Sequence, residues 1–171
     1  GYCNVYLGPQ SAGGNQTGTH NFISGYQAGY QGGGDHNFVV GQLAYTKLCG
    51  GDDNFAVGEY AGYCNCGGSR NIYIGKQIAY NGTGNSDNIF LGYQVAYNGG
   101  GGTDGYICCT QRNIGIGKKA LYKLCTGCEN IAIGCGSGYN ISSGGCNVFI
   151  GRYAGNEVTT NSTSVIIGNG A

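Results

Sequence analysis

Asn71-Ile72-Tyr73-Ile74-Gly75-Lys76-Gln77-Ile78-Ala79-Tyr80 is the stretch on which the reading of this chain turns. Asn88-Ile89-Phe90-Leu91-Gly92-Tyr93-Gln94-Val95-Ala96-Tyr97 repeats it, and Asn54-Phe55-Ala56-Val57-Gly58 precedes it. The glycine that closes the motif recurs at Gly8, Gly25, Gly41, Gly58, Gly75, Gly92, Gly117, Gly134, Gly151 and Gly168. The intervals are 17 residues, with one of 16 and one of 25. Four residues before each glycine stands Asn: Asn4, Asn21, Asn37, Asn54, Asn71, Asn88, Asn113, Asn130 and Asn147, with Ser164 in the last unit. A fixed period of this length is the mark of a solenoid, in which each unit buries its apolar face only against its neighbours.

Number each unit from its Asn. Position 2 is Val, Phe or Ile throughout, and position 4 is Leu, Val or Ile in every unit except that of Ser24. This alternation predicts a short strand whose positions 2 and 4 face the core. Position 8 (Ala28, Ala44, Ala61, Ile78, Val95, Ala120) is expected to reach the same core, with the position-5 glycine turning the corner. A helix is excluded, since a glycine in every turn costs about 1 kcal/mol against Ala and no 3.6-residue stripe exists. The expected fold is all-β, a parallel β-solenoid of ten rungs over residues 1–171, a single repeat domain. Stacked at about 4.8 Å, ten rungs span roughly 48 Å. The long interval places an eight-residue, glycine-rich insertion at about 98–106. No Gly-Lys-Ser/Thr follows it, so it is not a phosphate-binding loop.

Stacking turns each position into a ladder. Asn at position 1 is expected to bond up the stack, and Tyr30, Tyr63, Tyr80, Tyr97, Tyr122 and Tyr139 to stack at position 10. Position 17 reads His20, His36, Asp53, Arg70, Asp87, Arg112, Glu129, alternating in sign from Asp53 onward. Position 3 reads Tyr6, Ile23, Val39, Ala56, Tyr73, Phe90, Gly115, Ala132, Phe149, Ile166. With positions 2 and 4 inward it faces outward, and its lack of any polar residue predicts an assembly stripe of Tyr6, Ile23, Val39, Tyr73, Phe90, Phe149 and Ile166.

Ten cysteines in 171 residues suggest an oxidising, extracellular setting. Cys49, Cys66, Cys108 and Cys125 share position 13, which predicts Cys49–Cys66 and Cys108–Cys125 bridges between adjacent rungs, with Cys128–Cys146 a diagonal third. Cys3, Cys64, Cys109 and Cys135 are left without a predicted partner. Sequons at Asn15, Asn81, Asn140 and Asn161 all fall in the turn region, where glycosylation would be solvent-facing.

No chemistry emerges. Nucleophile, base and paired-carboxylate sets are absent, His20 and His36 lack a carboxylate partner, and Cys125-Thr126-Gly127-Cys128 has no second Cys-x-x-Cys pair to match it, so neither enzyme activity nor a cofactor or metal is expected. Charged residues are 9% and the net charge is zero, which gives no electrostatic footprint for nucleic acid. No apolar run reaches the roughly 20 residues of a membrane span. With no Met, the chain is expected to be a processed form or a segment.

Asn130-Ile131-Ala132-Ile133-Gly134 resembles the head repeat of trimeric autotransporter adhesins of the YadA type, and is similar to repeats of phage tail fibres and extracellular fibre proteins. The resemblance implies a left-handed parallel β-roll, commonly trimeric and surface-exposed. The 17-residue rungs and the cysteines depart from it. The functional expectation is a self-assembling structural subunit of an extracellular filament, homo-oligomeric laterally or head to tail, because no capping element blunts either end. The alternative is the shaft or head of an adhesin or receptor-binding fibre whose tyrosines touch glycans.

Overall fold

A computed structural model describes the chain except residues 15, 16, 48, 49, 98–106 and 109; the side chains of 107 and 108 are likewise left aside. The ten motif strands are β1 Val5–Leu7, β2 Phe22–Ser24, β3 Phe38–Val40, β4 Phe55–Val57, β5 Ile72–Lys76, β7 Ile89–Tyr93, β9 Ile114–Ile116, β10 Ile131–Ile133, β11 Val148–Ile150 and β12 Val165–Ile167. They form one parallel sheet in chain order, every neighbour paired motif position to motif position. The 25-residue interval does not shift this register, since Ile89 still pairs with Ile114. Two shorter strands, β6 Gly82–Thr83 and β8 Ile107–Cys108, form a second parallel pair. No helix occurs among the described residues. The chain is a β-solenoid, as the repeat predicts.

Facing of the strand is the reverse of the sequence expectation. Ile23, Val39, Tyr73, Phe90 and Phe149 at position 3 have no exposed surface, whereas Ile72 and Ile74 are 39% and 40% exposed. Tyr6 and Ile166 belong to the same inward column and show solvent only because they sit on the terminal rungs. The predicted stripe of Tyr6, Ile23, Val39, Tyr73, Phe90, Phe149 and Ile166 is therefore the core, and positions 2 and 4 form the outer face. The physical reason lies in side-chain size. Position 3 ranges from Gly115 to Tyr73, and the far side of the coil compensates. A Cβ on Gly29 would meet Ile23 at 2.8 Å, one on Gly138 would meet Phe149 at 2.7 Å, and one on Gly115 would meet Val95 at 2.6 Å. Interiors are close-packed, so unequal residues must interdigitate there. Positions 2 and 4 carry no such compensation.

The corner glycine at position 5 has two reasons to be glycine. Gly75 holds φ +129°, and a Cβ there would collide with the Gly92 carbonyl of the next rung. Only a residue without Cβ lets two backbones approach this closely.

Position 1 locks the stack from inside. Asn71 is fully buried; its Nδ2 donates to Asn54 Oδ1 at 3.0 Å and to the Asn85 carbonyl, and its backbone N–H donates to Asn54 Oδ1. Its own Oδ1 accepts the same two bonds from Asn88. The pattern continues through Asn113, Asn130 and Asn147 to the Ser164 backbone N–H. A buried amide so satisfied fixes register, because a one-residue slip would strand every member of the ladder.

Candidate functional site

The feature that stands apart from ordinary fold stability is the outer face of the ten-stranded sheet. Its two columns are Val5, Phe22, Phe38, Phe55, Ile72, Ile89, Ile114, Ile131, Val148, Val165 and Leu7, Ser24, Val40, Val57, Ile74, Leu91, Ile116, Ile133, Ile150, Ile167. None of these residues is buried. Strand alternation puts all of them on one side of the sheet, and in-register pairing keeps each column straight. Phe22, Phe38 and Phe55 stack ring on ring at 5.0 and 4.9 Å. Ser24 is the one polar side chain in the two columns. Half of these residues are exposed and half are half-buried; if each shows about a third of a ~150 Å² side chain, the face presents on the order of 1,000 Å². Monomers rarely expose contiguous apolar patches beyond a few hundred Å².

Around the corner, positions 6 to 11 carry the aromatic ladder. Tyr63, Tyr80, Tyr97, Tyr122 and Tyr139 stack at centroid spacings of 4.8 to 5.6 Å. Tyr30 stands apart, because Thr46 occupies the intervening rung. Lys119 and Lys123 lie over Tyr122 and Tyr139. Gln27 donates to Gln10, and Gln94 to Gln77, in a parallel amide ladder at position 7.

The position-17 ladder forms as its register predicts. His20 and His36 stack at 5.1 Å, and Arg70 bonds Asp87 through Nε and Nη2. Arg112 pairs with Glu129 at 2.8 Å. The Arg70 guanidinium holds the Asp87 carboxyl below its ordinary range; the Cys146 thiol and then Arg112 do the same for Glu129. Among the described residues, no group of three His, Cys, Asp or Glu is placed to hold a metal.

Of the predicted bridges, Cys128–Cys146 alone has both side chains among the described residues, and it is not formed. Cys66, Cys125, Cys128 and Cys146 are free thiols. The Cys146 thiol donates instead to Glu129 Oε2 at 3.2 Å. Cys49 lies outside the described residues, as does the side chain of Cys108. In the position-13 column, in-register rungs work against a bridge. Their Cα spacing of about 4.8 Å suits a disulfide, but parallel Cα–Cβ bonds keep Cβ atoms at that same separation, whereas a bridge wants about 3.8 Å. Cys64 is buried, and desolvation pushes its thiol pKa up, which leaves it inert. Asn15 falls outside the described residues. Of the other sequon asparagines, Asn161 is exposed, while Asn81 and Asn140 are half-buried and Asn140 Nδ2 donates to the Asn156 carbonyl.

Sequence reasoning missed the outer face through one error of parity. The available signal was variance: surface columns tolerate uniform β-branched or aromatic residues, whereas a core column must vary in size with its opposite wall. No helix among the described residues is long and apolar enough to cross a membrane. No family model, curated protein or solved structure matches this chain.

Proposed function

We propose that this chain is a structural subunit of an extracellular filament or fibre, and that copies associate side by side through the outer sheet face. The observation that carries the reading is the pair of apolar columns running the length of the sheet. An area on the order of 1,000 Å² exceeds the ~800 Å² per partner of a standard stable interface. The occupant is a second copy of the same chain, because the face is straight, free of charge and repeats at the strand spacing. Only another surface with the same period meets every rung equally. Head-to-tail stacking is the second mode of association in this reading. The extracellular placement draws on the exposed Asn161 sequon.

Light scattering and electron microscopy of the purified chain test the proposal. Trimers, bundles or filaments are expected at micromolar concentration. Charge introduced in mid-face by Ile74→Lys with Ile133→Lys should return the chain to monomer without loss of β circular dichroism. A wild-type chain that stays monomeric at ~100 μM would overturn the reading.

A further inference from the structure

Four cations with no carboxylate partner among the described residues cluster around one notch. Of the eight Lys and Arg residues, Arg70, Lys76 and Arg112 are in ion pairs with Asp87, Glu59 and Glu129. The eighth, Lys47, lies over the Tyr63 ring; Lys118, Lys119, Lys123 and Arg152 are in no ion pair among the described residues, and all four lie on the turn segments of the rungs beginning at Asn113 and Asn147. The rung between them carries Cys135 and Gly136 where its neighbours carry Lys118–Lys119 and Arg152–Tyr153. Loss of side-chain bulk on this one rung opens a groove of about 440 Å³.

The walls ask three different things of a ligand. Lys118 and Lys119 line one side, with Arg152 flanking over the Tyr153 ring at 5.1 Å. They call for a negative charge, against which stands the single carboxylate of Glu157, engaged by Asn156 Nδ2 at 3.2 Å. Tyr139 and Tyr153 supply aromatic surface, which suits a flat face of C–H groups. Asn140 and Asn156 each commit Nδ2, to the Asn156 carbonyl and to Glu157, leaving both Oδ1 atoms as open acceptors. An acceptor on the wall needs a donor on the ligand. A sulfate dianion offers none, a hydrogen phosphate dianion has one O–H for the two acceptors, and a neutral sugar leaves the lysines unanswered.

We propose that this groove binds an acidic sugar, a uronic acid unit, with its carboxylate toward Lys118 and Lys119, its ring against Tyr139 or Tyr153 and its hydroxyls on the asparagine carbonyls. The volume lies within the ~300–1,000 Å³ usual for small-molecule sites. The groove lies beyond the position-5 corner from the apolar sheet face, so the proposal does not rest on the assembly reading.

Titration calorimetry of the full chain tests it, with glucuronate, a uronic-acid oligosaccharide, glucose and inorganic phosphate as separate probes. Saturable glucuronate binding is expected, weakened at least tenfold by salt and by Lys118→Gln with Lys119→Gln. Glucose and phosphate should each bind at least tenfold more weakly. Tighter binding of the oligosaccharide would identify a polymer as the natural source, and equal binding a single terminal sugar. Both lysines are surface residues, so the variant should keep its β circular dichroism and oligomeric state. Tyr153→Ser supplies a second arm that removes the ring without altering charge. The proposal is overturned if phosphate matches glucuronate, if glucose matches it, if either variant binds like wild type, or if no probe binds.

Discussion

Phe90→Ala and Ile72→Ala, compared in the same chain, test which side of the strand is the core. Phe90 has no exposed surface, stacks on Tyr73 at 5.6 Å and abuts Gly115 of the next rung. Gly115 has no side chain with which to collapse into the space a removed ring would leave. The loss should therefore lie in the ~3–5 kcal/mol range of buried Phe→Ala changes. Ile72 is 39% exposed before any change. Removing its three outer carbons forfeits only part of ~0.8 kcal/mol per buried methylene, about 1–1.5 kcal/mol in all. Urea unfolding followed by circular dichroism, below the concentration of assembly, should show the Phe90→Ala midpoint falling at least twice as far, with the slope unchanged. A double-mutant cycle sharpens the test. Gly115→Ala alone is destabilising, because its methyl would sit 2.6 Å from Val95 Cγ1 and 3.1 Å from Phe90 Cδ1. In the Phe90→Ala background Val95 gains room to yield, so the two changes should cost less together than their sum. Ile72→Ala costing as much as Phe90→Ala would refute the packing argument, and additivity of the pair would refute the account of Gly115.

Asn113→Leu should cost more than about 3 kcal/mol, read as a lowered urea midpoint. It strands the Gly127 carbonyl and the Asn130 backbone N–H and takes one of two donors from Asn88 Oδ1, all buried partners of one side chain. Tyr73→Phe should leave thermal stability unchanged or raised, because the Tyr73 hydroxyl is buried without a hydrogen-bond partner among the described residues. Dithiothreitol should not shift the melting temperature, and thiol titration of the unreduced chain should detect Cys66, Cys125, Cys128 and Cys146. The carboxyls of Asp35, Asp87 and Glu129 are depressed on folding, Asp35 chiefly by the Thr19 amide and hydroxyl. Their contribution is thus present above the ordinary values of 3.8 and 4.5 and is lost as pH falls through the lowered folded values. Acid titration of the melting temperature should show a small decline beginning near there, and Asp87→Asn should flatten it.

Much of this fold was legible because a solenoid states its register in every unit. The Asn–glycine spacing gives strand position, pairing order and the tolerance of the insertion after Tyr97, and all three appear in the sheet. The Tyr ladder and the charge pairing of Arg70 with Asp87 follow from the same count. What the period could not give was direction. A three-residue strand has two parities, and both put apolar residues inside, since positions 2, 3 and 4 are all apolar here. Only the packing of Ile23 against Gly29, and of Phe149 against Gly138, breaks the tie. The expectation for Cys128 and Cys146 failed on a finer scale. Register told that they are neighbours, but not that the Cys146 thiol turns to Glu129. The groove at Gly136 left a trace in the sequence as a rung lacking side chains between two cationic ones, visible only once positions 6 and 7 are known to be exposed.

The reversal of parity changes what the regularity of the chain means. Were the uniform columns interior, their regularity would express a core of constant width, and the molecule would need nothing outside itself. With Phe22, Phe38 and Phe55 stacked on the outer face and Ile114, Ile131 and Ile133 continuing the columns, uniformity belongs to the surface. The core meanwhile accepts anything from Gly115 to Tyr73, provided the opposite wall gives way. A core needs only local complementarity, rung by rung. A flat apolar face repeating every strand needs a partner with the same period, because a single bulky or charged residue would hold two such faces apart along their whole length. A smooth outer column and a rough inner one are what the proposed lateral association of like solenoids would demand. The turn segments bear no such constraint, and it is there that the one irregular, cationic rung set can depart from the pattern without disturbing the sheet.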